Sequence, residues 1–332
     1  MSVHTKVKDG VLSNIDVDVS ILEIKGITGE VHYNPGLCRH GDDLWISIRS
    51  CTTNLERFEG WEHPNHYQNY LSIGLLDEDT MTIKGLKEVV PEEDYPGFQW
   101  GIEDVRLFWR EDGLHGIGVT IPIENGHYGI RQAEILIDYD KGTYRLLKDH
   151  GRPFGHAEKN WSPPESPTDK FDFIYSPTQI VKDSEVIGEL NDLFIHNGTK
   201  LLPYEDGYIS IGHVVTQVMQ ERTYATLALK WNAAGRLIDI SQFFHFNVGW
   251  REKLKETIEF VSDMVWAKDP NTLLVGIGVK DEITGIAKVP IDKIEWLSYE
   301  DVTWYSWQWK SPPNRIELPT PKPTTKSKSK RL

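Results

Sequence analysis

Cysteine is nearly absent from this chain: Cys38 and Cys51 are the only two in 332 residues. That excludes a disulfide framework. It makes a reduced, cytoplasmic setting the expectation, with one bridge between the two thiols as the alternative. No run of roughly 18 apolar residues occurs, so no membrane span is expected. The first residues, MSVHTKVKDG, lack the apolar centre of a signal peptide. Helical periodicity is scarce. The one candidate is WREKLKETIEFV, with Trp250, Leu254 and Ile258 at i, i+4 and i+8. Positive charge is also short. The net charge of −14 argues against a protein that grips nucleic acid over its whole surface, so no nucleic-acid partner is expected. Basic residues gather in the final KPTTKSKSKRL, which reads as a disordered tail over residues 315–332. Among the twelve histidines, His63 and His66 in WEHPNHYQNY are split by a proline and sit on no evident regular element. That is not metal-ligand spacing, and neither a metal nor another cofactor is expected.

What is present is a recurring strand unit. GDDLWISIRS (41–50), EDGLHGIGVT (111–120), TDKFDFIYSP (168–177), EDGYISIGHV (205–214) and PNTLLVGIGVKD (270–281) share one pattern. Each has a polar turn followed by alternating apolar residues, as a hairpin requires. Further strand-like stretches, QAEILIDYD, TYATLALKW and GIAKVPI, lie between them. Five units with few helices and no long linker predict an all-β, five-bladed β-propeller, one catalytic domain over residues 1–314. A β-sandwich, or two small β domains, is the competing arrangement. Twelve tryptophans are a high count. Most are expected in strand packing, and a few could offer flat faces to sugar rings.

Polar residues punctuate the units. HYNPGL supplies Asn34 and ISIRS supplies Arg49. GIEDVRLF supplies Glu103, Asp104 and Arg106, and AEKNWSPPES supplies Lys159 and Asn160. YISIGHVV supplies His213, IEFVSDMVW supplies Asp263 and GIGVKDEITGIAKV supplies Asp281. Charges set into apolar strands cost several kcal/mol if buried unpaired. Around a propeller axis, opposite charges would meet and offset one another. Each also has a plain reading. Glu103 and Asp104 could form a solvated turn with Arg106 as ion-pair partner. Lys159 could be a surface lysine. His213 could be a satisfied core histidine or an axial cation ligand.

In order, these strings resemble those of the GH130 family of β-mannoside phosphorylases and the related β-1,2-mannosyltransferases, over roughly residues 30–295. The likeness lies in Asn-Pro of the first unit, a strand bearing arginine, Glu-Asp-x-Arg, Lys-Asn-Trp, a strand histidine and a late Gly-x-x-Asp. The resemblance implies a five-bladed propeller with Asp104 as catalytic acid. It implies Arg49, Lys159 and His213 at or near phosphate, and Asn34, Glu103, Arg106, Asn160 and Asp281 around the sugar. Three departures stand out. Val105 replaces the family's proline, Val214 replaces its glycine, and a further phosphate arginine has no clear match beyond Arg152 in DHGRPFG.

The residue types suit that chemistry on their own terms. Breaking or forming a glycosidic bond needs an acid for the leaving oxygen. An inverting hydrolase needs a second carboxylate to activate water. A phosphorylase instead needs cations that hold its anionic nucleophile, a task for which arginine and lysine are suited. The expected activity is an inverting phosphorylase or glycosyltransferase that moves a sugar, by resemblance mannose. Its partners would be inorganic phosphate or a sugar phosphate and a carbohydrate acceptor. The alternatives are a nucleotide-sugar transferase, an inverting hydrolase and a non-catalytic sugar-binding propeller. A homo-oligomer is compatible with everything above. Tyr33, Trp100, Trp161 and Phe260 are the aromatic candidates for the pocket wall.

Overall fold

The computed structural model describes residues 2–3, 17–52, 68–124, 127–151, 159–176, 179–186, 195–218, 221–244, 246, 259–299 and 304–305. The candidate helix around Trp250, the tail, Arg152, His63 and His66 lie outside the described residues. What is described is all-β, with two single 3-10 turns, Pro96–Phe98 and Ile291–Lys293. No helix among the described residues is long and apolar enough to cross a membrane.

Consecutive strands pair antiparallel in short meanders. Val31–His40, Asp43–Cys51, Asn69–Asp77 and Thr82–Pro91 form one. Glu103–Arg110, Gly113–Thr120, Arg131–Asp138 and Thr143–Asp149 form the next. A short parallel pairing, Thr143 to Val90 and Tyr144 to Pro91, joins these two edge to edge. Phe173–Ser176, Gln179–Lys182 and Glu185–Val186 follow. Ile195–Asn197, Gly207–Val218, Glu221–Asn232, Leu237–Ser241 and Trp296–Ser298 make a further sheet. The last contains Glu259–Trp266, Thr272–Val279 and Ile283–Pro290, and the early strand Asp18–Ile21 completes it beside Ile283–Pro290. An early strand therefore completes the last of these sheets, and Ser2–Val3 pairs with Trp304–Tyr305 in a separate small sheet.

The cores lie between successive sheets. One joins Ile73 and Val89 of the first to Leu107 and Ile135 of the second. A second sets Phe108 and Ile117 against Trp161 and Phe173. A third sets Ile174 against Leu227 and Leu229. A fourth sets Ile209 and Ile211 against Val261 and Val275. The fifth returns to the beginning, with Leu37, Ile46 and Ile48 against Leu274 and Ile286. Asp43–Cys51 shows how the sequence produces this. Its period of two sends Leu44, Ile46 and Ile48 to one face and Trp45, Ser47 and Arg49 to the other. Full burial of each aliphatic side chain contributes about 1.5–3 kcal/mol. That fixes the register and aims Arg49 to the side where the Ser47 hydroxyl donates to Val105 O at 2.9 Å.

Three strands, Val31–His40, Glu103–Arg110 and Glu259–Trp266, lie side by side at the centre. Each carries an extra residue in its pairing: between Tyr33 and Gly36, between Glu103 and Arg106, and between Val261 and Asp263. Asp263 is fully buried and ties these strands together. Its Oδ2 accepts from Leu37 N at 2.9 Å and Leu107 N at 3.3 Å. Its Oδ1 accepts from Met264 N at 2.9 Å and Lys200 N at 3.3 Å. Burial pushes its carboxyl upward, and the Lys200 ammonium 3.6 Å away opposes that. Lys200 Nζ also donates to Leu37 O. The close approach depends on Gly36, where a Cβ would come within 2.1 Å of Val105 O.

Candidate active site

The bulges build the site. Asn34 and Asp104 occupy the extra positions of two neighbouring strands, with φ of 49° and 51°. Left-handed backbone is costly for most residues but tolerated by Asn and Asp. A bulge re-aims the side chain it carries, and here the two side chains meet. Asn34 Nδ2 donates to Asp104 Oδ1 at 2.8 Å. Arg49 Nη1 donates to the same oxygen at 2.9 Å. Asp104 is 8% exposed, and its Oδ2 makes no hydrogen bond among the described residues. One carboxylate oxygen is anchored twice and the other makes no hydrogen bond among the described residues.

A chain of alternating charge runs outward from this pair. Arg49 Nη2 lies 3.1 Å from Glu103 Oε1, and Lys159 Nζ donates to Glu103 Oε2 at 3.1 Å. The Glu103 carboxylate raises the Lys159 pKa against the opposing pull of desolvation, so this lysine is held charged. Its side chain keeps 42% of its surface exposed, whereas Glu103 keeps 4%. Tyr33 lies under the Arg49 guanidinium, 4.9 Å from ring centre to Cζ. Asp281 projects from the turn of the last hairpin with φ of 52°. Burial raises its pKa, Arg49 and Lys159 lower it, and the nearby Asp104 and Glu103 raise it further. It makes no hydrogen bond among the described residues.

Arg106 and Asn160 sit deeper. Arg106 is 1% exposed, and its Nε and Nη2 both donate to Gly198 O, at 2.9 and 2.7 Å. Nη2 also reaches Asn160 Oδ1 at 3.2 Å. Burial lowers its pKa, and Asp263 and Asp104 oppose that. His213 is on this side too. It packs among His196, Tyr224 and Phe260, with ring centres 5.9, 5.2 and 5.4 Å away. Burial, and after it the neighbouring His196 and Arg106, push its pKa well below the ordinary value, so it is neutral at neutral pH. Its Nδ1 is buried without a hydrogen bond among the described residues.

Of the residues singled out in the sequence, Asn34, Arg49, Glu103, Asp104 and Lys159 form one bonded cluster, and Asp281 shares its electrostatic field. Arg106 and Asn160 form a second group. His213 makes no hydrogen bond or ion pair with Arg49 or Lys159. Trp161 departs from the expected wall position, because it is fully buried against His150 and Phe173. Phe260 stands against His213, and Tyr33 lies beneath Arg49. One participant gave no sequence signal: Asn69, which bonds both Arg49 and Glu103. A polar residue opening a strand reads as the end of a turn. Among the described residues, no group of three or more His, Cys, Asp or Glu is arranged to hold a metal.

No protein-family model and no curated protein matches the sequence significantly. Solved structures do. One comes from a study of the GH130 mannoside phosphorylases reporting glycoside hydrolases that target β-1,2 mannosidic linkages in Candida mannan. It is 13% identical with a TM-score of 0.57, covering 86% of this chain and 92% of that one. A β-1,2-mannobiose phosphorylase from Listeria innocua is 12% identical with a TM-score of 0.56, covering 83% and 91%. A GDP-Man-dependent mannosyltransferase from Leishmania mexicana is 14% identical with a TM-score of 0.52, covering 85% and 92%. At such identities the likeness is one of fold: this chain has the architecture of the GH130 mannoside phosphorylases and of the mannosyltransferase that shares it.

Proposed function

We propose that the five packed units are the blades of a propeller that acts as one catalytic domain, and that it catalyses inverting glycosyl transfer between a sugar phosphate and a hydroxyl acceptor. The cores between successive sheets, with the last returning to the first, support the architecture. The observation that carries the chemistry is the asymmetry of Asp104. Its Oδ1 is fixed by Asn34 and Arg49, its Oδ2 makes no hydrogen bond among the described residues, and Lys159 shares its electrostatic field.

In phosphorolysis, Asp104 gives its proton to the glycosidic oxygen, directly or through a sugar hydroxyl. A phosphate oxygen attacks the anomeric carbon from the opposite face, the glycosidic C–O bond breaks, and sugar 1-phosphate of inverted configuration forms. In synthesis, Asp104 accepts the acceptor hydroxyl's proton as phosphate departs. Arg49 and Lys159 hold the phosphate. Neutral His213 offers it a hydrogen bond rather than a charge. Asn34, Asp281 and Glu103 face the sugar, and Arg106 and Asn160 brace the pocket floor. Mannose is the proposed sugar, after the substrates named for the similar structures.

A second reading is hydrolysis. Arg49 and Lys159 are already paired with carboxylates, and Asp281, which makes no hydrogen bond among the described residues, is a second carboxylate in the field of Asp104. Incubation with mannose 1-phosphate and a panel of sugar acceptors, with assay of inorganic phosphate, separates the two. Nucleotide release from a nucleotide-mannose donor, without phosphate turnover, would replace both with a nucleotide-sugar transferase.

A further inference from the structure

We infer that Asn69 is a positioning residue: it fixes the Arg49 guanidinium, and through it the Asp104 and Glu103 carboxylates, in one arrangement. The catalytic part of this inference rests on the glycosyl-transfer reading above. Asn69 opens the strand Asn69–Asp77, opposite Cys51, and is 2% exposed. Its Oδ1 accepts from Arg49 Nε at 2.8 Å and from Cys51 Sγ at 2.9 Å. Its Nδ2 donates to Glu103 Oε1 at 3.3 Å and to Trp100 O at 3.1 Å. The amide has a defined orientation, because exchanging O and N would set N–H against the arginine and oxygen against the carboxylate.

This geometry needs an amide. Arg49 presents three edges: Nη1 to Asp104, Nη2 to Glu103 and Nε to Asn69. The two carboxylate contacts, both at the Nη end, do not by themselves set the tilt about the line between them. The Nε contact fixes its plane, and the Tyr33 ring supports one face. Tyr33 OH lies 3.0 Å from Cys51 Sγ, which closes a circuit of Tyr33, Cys51, Asn69 and Arg49. An aspartate at 69 would keep the acceptor for Nε and set a third carboxylate against Glu103. A leucine would have the shape and neither bond. Only a side chain with an acceptor at one corner and a donor at the other satisfies a cation and a carboxylate together.

The test compares Asn69→Leu, Asn69→Asp and the smaller Asn69→Ser, which covers the case of a variant that fails to fold. Two independent readouts are taken at a temperature where each variant is folded. The first is solvent exchange of the Arg49 Nε–H, followed in 1H–15N spectra and assigned with Arg49→Lys. It should be slow in the parent and fast in Asn69→Leu and Asn69→Ser, and closer to the parent in Asn69→Asp, which keeps the acceptor. The second is steady-state turnover, where Asn69→Leu should lose about 10²-fold in kcat, with KM for the phosphate substrate raised because Arg49 holds it. Parent-like protection of the Nε–H in Asn69→Leu would overturn the inference. So would parent-like kcat in a variant whose Nε–H exchanges freely. If the parent turns over no glycosyl substrate, the glycosyl-transfer reading fails, and the exchange measurement still decides whether Asn69 holds Arg49.

Discussion

Arg49 and Asp104, 55 residues apart in the chain, meet at 2.9 Å on the one carboxylate oxygen that Asn34 also holds. The pairing leaves Asp104 a single oxygen with which to act. Asp104→Asn keeps the shape and an acceptor for both partners but cannot exchange a proton. Turnover should fall by about 10²–10⁴-fold, with a thermal midpoint close to that of the parent. Steady-state assays and thermal unfolding check this. Parent-like turnover would contradict it.

Gly278 is a second route to the same oxygen. A Cβ there would come within 1.8 Å of Asn34 Oδ1. Gly278→Ala should push the Asn34 amide away and loosen Asp104, so activity should fall more than stability does. Comparing kcat/KM with the unfolding midpoint tests this. A variant with full activity would mean that Asn34 does not position the acid.

Removing Arg49 should be costly to the fold. Glu103 and Asp104 are 3% and 8% exposed, and both would lose their shared cation. Breaking a buried pair by deleting one partner costs about 3–5 kcal/mol. Arg49→Met should therefore unfold at clearly lower urea concentration, and adding Glu103→Gln should recover part of the loss. A double-mutant cycle measures this, and strictly additive losses would contradict it.

The pH dependence of stability should carry a signature from outside the site. His115 is buried between Asp112, 2.7 Å from Nε2, and Glu134, 3.0 Å from Nδ1. Burial alone would lower the His115 pKa, but these two carboxylates outweigh it and raise the pKa above 6.5. Burial opposes Glu134 as well, and the bond from His115 together with the nearby His150 ring, 3.7 Å away, brings it down from 4.5 to about 2. A raised histidine stabilises fully below its unfolded value and loses that contribution as pH rises through its folded value. A depressed carboxylate contributes above its unfolded value and loses that as pH falls toward about 2. The cluster's contribution should therefore be greatest between 4.5 and 6.5. His115→Gln should remove the decline above that window in urea midpoints measured across pH. An unchanged profile would contradict this.

The sequence was most readable where a polar residue interrupts an apolar alternation. Arg49 in ISIRS and Glu103-Asp104-x-Arg106 at a strand entry break the period of two, and the first three of these residues proved to be bonded together. What could not be read is the backbone that brings them there. Nothing in HYNPGL announces that Asn34 takes a left-handed conformation, or that its bulge lies beside that of Asp104. Asn69 was silent because its partners are 20 and 34 residues away, and a strand-opening asparagine is ordinary. Asp263 was visible as a polar break in IEFVSDMVW. Its work, accepting backbone N–H groups from neighbouring central strands, appears only once those strands are packed. Trp161 shows the opposite failure. An aromatic beside Lys159 and Asn160 suggested a sugar platform, but it packs into the core between two sheets with Phe108, Ile117 and Phe173.

The most direct test of the account is the fate of phosphate. The parent protein, given mannose 1-phosphate and a mannoside acceptor, should release inorganic phosphate in step with new glycosidic bonds. Asp104→Asn should abolish both, and Lys159→Ala should weaken use of the sugar phosphate specifically. Release of free mannose from a β-mannoside, at a rate indifferent to added phosphate and with no sugar 1-phosphate formed, would contradict it.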